Sequence, residues 1–186
     1  MNDKYLFISD VHAGGFDVTK NKQVEKDFIQ VLKWAKENSC KVFFLGDIFD
    51  YWMEFKNGYY PNEFDSLLES IFKVKESQTS VTMITGNHDN WTDRLFPKNG
   101  IEIEESFRIV SLNEKERVLL MHGDGLYQAN GTLKRPLFHL ILRNKLFVKF
   151  FKLLFPDRKG INIMKKFSLL NRKIRPTTDH SSAKLT

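Results

Sequence analysis

The sequence predicts an α/β fold, a sheet covered by helices. Two observations predict it. Short apolar runs alternate with stretches whose apolar residues recur at helical spacing, in the order β-α-β-α-β. Each apolar run also ends abruptly in polar residues, as strands do when their carboxyl ends open onto a site.

The elements follow in order. KYLFIS (4–9) reads as a short buried strand. Residues 21–38 place apolar side chains at 24, 28, 31, 32 and 35, which is helical spacing. KVFFLG (41–46) is a second strand, and 62–74 a second helix capped by Asn62. SVTMITG (80–86) is a third strand, joined like the others by right-handed crossovers. FRIVSL (107–112) and RVLLMH (117–122) flank NEKE and predict a hairpin. RPLFHLILRNKLFVKFFKLLFP (135–156) reads as one helix between prolines, and 160–173 as another. The division expected is a core over 1–133, a basic helical segment over 134–175, and a return toward the core at 176–186.

The 186 residues, 41% apolar and 28% charged, suffice for one domain with a sizeable core. A single cysteine, Cys40, rules out an internal disulfide and favours a reducing compartment. The opening residues lack signal-peptide architecture, and no apolar run reaches the ~18–20 residues that span a bilayer. The expectation is a cytoplasmic protein. The net charge of +6 conceals a split. Residues 1–133 hold 15 Lys/Arg against 21 Asp/Glu, and residues 134–175 hold 13 Lys/Arg against Asp157 alone. An acidic body with a basic appendage points to a polyanionic partner, with a plain solvated basic surface as the alternative.

The polar strand ends share a chemistry. KYLFIS leads into Asp10-Val-His12, KVFFL into Gly46-Asp47-Ile-Phe-Asp50, VTMIT into Gly86-Asn87-His88-Asp89, and RVLLM into His122-Gly123-Asp124. Gathered unpaired beyond one sheet, these groups would be costly to bury; metal ions resolve that cost. Oxygen and nitrogen donors without thiolate suit Mn2+, Fe or Zn2+. Asp47 is the natural bridging carboxylate, and Asn87 adds a ligand without adding charge.

DVHAG, GDIFD, GNHD and HGD resemble the calcineurin-like metallophosphoesterase superfamily, whose pattern is D-x-H, G-D-x-x-D, G-N-H-D/E, His, then G-H-x-H. The resemblance covers residues 10–124. It implies a metallophosphoesterase-type sheet sandwich, with two divalent ions, Mn2+ in first place. One ion would be held by Asp10, His12 and Asp47, the other by Asp47, Asn87 and His122. It implies that Asn87 and His88 face the phosphate, that His88 stabilises charge or protonates the leaving oxygen, and that Asp89 orients the His88 imidazole and raises its pKa.

GDIFDYW, GNHDNW and HGDGLY carry a finer resemblance, to the UDP-2,3-diacylglucosamine hydrolase family of lipid A synthesis. In that family a basic, Phe/Leu-rich insertion after H-G-D is a lid that shelters acyl chains. The implied partners are a lipid-linked UDP-sugar and an anionic inner-membrane surface met peripherally. The phenylalanine density argues against nucleic acid. Lys145, Lys149 and Lys152 fall on one narrow helical face and would meet phosphates or headgroups, with the Phe/Leu face toward lipid or body. A plain core helix with a solvated lysine edge is the alternative. Arg172, Lys173 and Lys184 are candidate sugar-phosphate contacts, and His139 is expected to be structural.

The sequence departs from the pattern once. It holds no G-H-x-H, and His180 has no apolar strand before it and is not expected to replace it. The expectation is a chain cut short, its second half-sheet incomplete, binding metal weakly and with little activity. Two alternatives stand beside this reading: a metallophosphoesterase for another nucleotide or phosphodiester, and a non-enzymatic scaffold of the same fold.

Overall fold

The computed structural model describes residues 3–76, 79–124, 126–129 and 131–174, and the backbone alone at 127–129, 133 and 171–174. Strands β1 (Tyr5–Ile8), β2 (Lys41–Phe44), β3 (Val81–Ile84) and β4 (Glu102–Glu104) form one parallel sheet in that order. Helices α1 (Val18–Glu37) and α2 (Asp65–Glu76) make the first two crossovers, and the short α3 (Leu95–Lys98) lies before β4. Side chains on a strand alternate between faces. Val42, Phe44, Val81 and Met83 therefore enter the large core with Phe28, Leu32 and Ala35 of α1 and Leu67, Leu68 and Ile71 of α2. Phe43 and Ile84 point the other way, into a small cluster with Leu120.

That second face is covered by the antiparallel hairpin of β5 (Phe107–Ser111) and β6 (Arg117–Met121). Val110, Val118 and Leu120 of the hairpin turn inward, and Phe107, Ile109 and Leu119 stay exposed on its outer face. A further short hairpin, β7 (Tyr127–Ala129) with β8 (Thr132–Lys134), leads into α4 (Leu137–Arg143), α5 (Lys145–Leu154) and α6 (Asp157–Ile174).

Four expectations need correction. The first helix begins earlier, at Val18, because Asp17 caps it by accepting from the Lys20 N–H at 2.9 Å. Asn62 is no cap: Asn62–Phe64 is a 3-10 turn after Pro61, and it runs into α2 without a side-chain cap. Residues 135–156 are two helices, not one. Asn144 adopts an extended ψ of 117°, and its Oδ1 accepts from the Leu146 and Phe147 N–H groups, 3.0 Å each, so it ends α4 and starts α5. The last helix starts at Asp157, just after Pro156. Strand β4, helix α3 and the β7–β8 pair gave no periodic signal long enough to read.

Candidate metal centre

The loops that follow β1 and β2 carry the ladder of hydrogen bonds past the strand ends. Asp10 N–H donates to Gly46 O at 3.1 Å, His12 N–H to Asp47 O at 2.9 Å, and Ala13 N–H to Ile48 O at 2.9 Å. Asp10, His12 and Asp47 all have φ between 50° and 56°, a left-handed conformation unfavourable for residues with a Cβ. The ladder holds them there, and such strain gathers at functional sites. The glycines ahead of the ligands serve close approach. A Cβ on Gly46 would lie 2.7 Å from the His122 ring and from Gly86 N, and one on Gly86 would collide with the Asp47 carboxylate.

Ligand-capable atoms of Asp10, Asp47 and His122 lie within 4.8 Å of one another, and so do those of His12, Asp47 and His88. Asp47 belongs to both groups, the position of a bridging carboxylate. In these groups Asp10 stands with His122 and His12 with His88, and Asp10 Oδ1 is also 3.8 Å from His12 Nε2, the pairing that the resemblance implies. His122 Nε2 is 3.3 Å from Asp47 Oδ2, and the His12 and His88 rings meet edge-on at 5.0 Å. Asn87 lines the same cavity.

Two imidazoles are fixed in one tautomer. His122 Nδ1 donates to Leu45 O at 2.8 Å and His88 Nδ1 to Asp50 O at 2.6 Å. A carbonyl only accepts, so each Nδ1 carries its proton and each Nε2 is left for a ligand, the usual support behind a metal-binding histidine. Burial works against the His122 charge, but the hydrogen bond and charge of Asp47 raise its pKa to about 9. Burial likewise pushes Asp47 up, and His122 and His88 outweigh it and hold the carboxyl low. His12 Nδ1 makes no hydrogen bond among the described residues, and the Asp50 carboxylate lies 3.4 Å from it. Converging carboxylates and imidazoles fixed with Nε2 free fit divalent metal.

Asp89 does something other than expected. Its carboxylate is fully buried and accepts from Ile48 N–H at 2.8 Å and Gly86 N–H at 2.7 Å. It staples the GNHD loop to the GDIFD loop, and the Asp50 carbonyl, not Asp89, holds the His88 imidazole. Burial, with Asp47 nearby, raises the Asp89 pKa to about 6.

The calcineurin-like phosphoesterase family model matches residues 4–175. The chain belongs to that family. Among curated relatives, the UDP-2,3-diacylglucosamine hydrolase of Porphyromonas gingivalis is 29% identical over 130 residues, 69% of this chain and 49% of its own. The protein of the same name from Histophilus somni is 29% identical over 129 residues, 66% and 50%. That of Proteus mirabilis is 24% identical over 163 residues, 87% and 63%. The chain spans about half the length of the first of these curated relatives.

In this member of the family the candidate donors open onto a cavity of about 1230 Å³, walled on its far side by α4 and α6. The residues that join the two sides were not legible as site residues. Asp50 is buried; its Oδ1 is 3.4 Å from His12 Nδ1, and its Oδ2 accepts from Ser168 of α6 at 2.5 Å. Asp124 is buried and accepts at Oδ2 from Arg135 Nε at 2.9 Å and Arg143 Nε at 2.6 Å. Leu142 O accepts from Trp91 Nε1 at 2.7 Å, and Phe151 packs edge-on against that indole at 5.1 Å. Three of the four ligand motifs, those of Asp47, Asn87 and His122, thus grip the helical segment through a residue two to four positions further on.

Of the three lysines placed on one face by helical spacing, Lys152 turns toward the body: it packs over the Phe55 ring with its Nζ 3.5 Å from Trp91 O. Lys145 pairs with Glu105 at 3.0 Å but is 82% exposed, and Lys149 is exposed. Leu146, Phe150, Leu153 and Leu154 are exposed as well. Arg172 and Lys173 are in the last turn of α6 with their side chains outside the described residues, as Lys184 and His180 are entirely.

Proposed function

We propose that this phosphoesterase uses two divalent ions, Mn2+ in first place, to hydrolyse the diphosphate of UDP-2,3-diacylglucosamine to UMP and 2,3-diacylglucosamine 1-phosphate. One observation carries the reading: the cavity has two unlike walls. The body contributes Asp10, His12, Asp47, Asn87, His88 and His122, a floor suited to metal and phosphate. The helical segment contributes Pro136, Phe138, Leu142, Met164 and Phe167, a wall suited to an acyl chain. The similarity to UDP-2,3-diacylglucosamine hydrolases supports the substrate.

Divalent ions bound at that floor would polarise the phosphoryl oxygens and lower the pKa of a water. The residues of the chain supply the rest. Asp10, His12, Asp47 and His122 would hold the ions, and Asn87 would offer its amide oxygen. His88, anchored at Nδ1 by the Asp50 carbonyl, would as the imidazolium stabilise charge on the phosphoryl group or protonate the leaving oxygen from Nε2. The α4–α6 segment acts as a lid that excludes water from the site.

No helix among the described residues is long and apolar enough to cross a membrane. Lipid contact on this reading is peripheral. Leu137, Leu146 and Leu153 are 74–78% exposed, and Lys149, Arg158 and Lys159 are exposed on the same segment, a combination that suits an anionic bilayer surface at the cytoplasmic face of the inner membrane. The purified chain is expected to float with phosphatidylglycerol vesicles. The double variant Leu146→Ser/Leu153→Ser is expected to float less with an unchanged melting temperature.

The deciding assay compares two substrates with Mn2+. UMP release from UDP-2,3-diacylglucosamine, with no turnover of bis(4-nitrophenyl) phosphate, supports the reading; the opposite preference moves it to a general phosphodiesterase.

A further inference from the structure

We propose that His139, on α4, contacts the substrate directly, its imidazolium form donating from Nε2–H to a phosphoryl oxygen of the diphosphate held at the metal centre. The inference rests on the phosphoesterase reading above and deepens it.

The helical segment is rich in cations, yet those around the cavity are engaged. Arg135 and Arg143 both hold Asp124, and the remaining nitrogens of Arg143 donate to Thr85 O and Glu105 O at 2.8 Å each. Lys145 pairs with Glu105, and Lys165 with Glu63 at 3.5 Å. Of the residues from α4–α6 that line the cavity, two carry polar side chains, His139 and Ser168. The Ser168 hydroxyl is given to Asp50. His139 is what remains on that wall to meet an anion.

Its ring is already set for the task. His139 Nδ1 lies 2.6 Å from Asp124 O, and the carbonyl can only accept, so Nδ1 carries a proton and Nε2 is the position left to meet the substrate; it donates there when the ring takes its second proton against the phosphate charge. Among the described residues Nε2 has no hydrogen bond or ion pair. His88 and His122 are held in the same way, each by Nδ1 on a backbone carbonyl. The anchor is also shared with the metal centre: Asp124 Oδ1 is 3.6 Å from His122 Nε2. One loop therefore positions an imidazole from the body and one from the helical segment around the same cavity. A hydrogen bond from an imidazolium to a charged phosphoryl oxygen is of the stronger, charge-assisted kind.

Two variants separate contact from mere support. In His139→Asn the amide can keep the bond to Asp124 O while nothing reaches the Nε2 position; in His139→Gln the amide reaches the Nε2 position and the bond to Asp124 O is lost. The probe is UDP with Mn2+, measured by calorimetry, with Mn2+ binding alone followed by electron paramagnetic resonance. The expected result is about ten- to a hundredfold weaker UDP binding in the Asn variant, partial recovery in the Gln variant, and unchanged Mn2+ binding in both. Equal losses in both with unchanged melting temperatures also support the contact. Equal losses with lowered melting temperatures overturn it, as does a Gln variant weaker than the Asn variant, since the ring is then a strut for the Asp124 loop. Unaltered UDP affinity in both overturns this inference alone. A wild-type chain with no Mn2+-dependent UDP binding overturns the phosphoesterase reading and this inference with it.

Discussion

The helices of the body and those over the cavity obey opposite rules. Helix α1 buries Phe28, Leu32 and Ala35 and α2 buries Leu67, Leu68, Ile71 and Val74, leaving charge to solvent. Helices α4 and α5 bury no residue fully; Leu142, Phe147, Val148 and Phe151 are half-buried against the core, and Leu137, Leu140, Leu146 and Leu153 face out. Periodicity locates an apolar stripe on a helix but does not say what covers it. For α1 and α2 the cover is the sheet. For α4 and α5 the apolar surface exceeds what the body covers, and exposed apolar area of this kind marks a binding surface.

The contrast breaks most sharply under matched truncations. Leu32→Ala removes a side chain that is 1% exposed and is expected to cost about 2–5 kcal/mol of stability. Leu146→Ala removes one that is 78% exposed and is expected to stay within about 0.5 kcal/mol. Urea denaturation of the two variants measures both. Comparable losses would mean that the outer face of α5 is covered in solution, and the two sets of helices would then follow one rule.

The candidate donors were legible because they are local. Asp10, His12, Asp47 and Asn87 sit just past strands of the parallel sheet, which brings strand ends together, and His122 sits just past β6 of the hairpin that covers that sheet. What was not legible depends on folding across distance. Asp50 meets Ser168, 118 residues away, and Asp124 meets Arg143. Asp89 looked like a partner for the adjacent His88, and nothing in the sequence showed that two backbone N–H groups would claim its oxygens. Helical spacing put Lys145, Lys149 and Lys152 on one face, and it could not show that Lys152 would turn to the Trp91 carbonyl while the other two stay exposed.

Asn144 was in plain view and was outvoted by the apolar residues around it. Its Oδ1 holds the first two free N–H groups of α5, so Asn144→Ala removes the cap that separates α5 from α4. The expected cost is about 1 kcal/mol, read as a lower melting temperature. A higher melting temperature would mean that one continuous helix over 137–154 is the preferred state, and that the grip of Asp124 on Arg143 is secondary.

The smallest effect expected is on Lys152, the lysine that turned furthest inward. Burial lowers its pKa, and the nearby Glu54 and Asp93 only partly restore it. A lysine pKa depressed on folding means that the folded state bears a cost for the charge. That cost is full below the folded pKa and fades as pH rises from there toward about 10.4, the value of an exposed lysine. Lys152→Met keeps the stem against Phe55 and removes the charge. With solvent still reaching the ammonium, the variant is expected to gain a few tenths to about 1 kcal/mol at neutral pH, with the gain shrinking as the solution becomes alkaline. Denaturation midpoints for both proteins between neutral and alkaline pH test this. A variant less stable than wild type at neutral pH would mean that the pull of the acidic body outweighs the desolvation of Lys152. The same pull would then be the force that turns Lys152 inward.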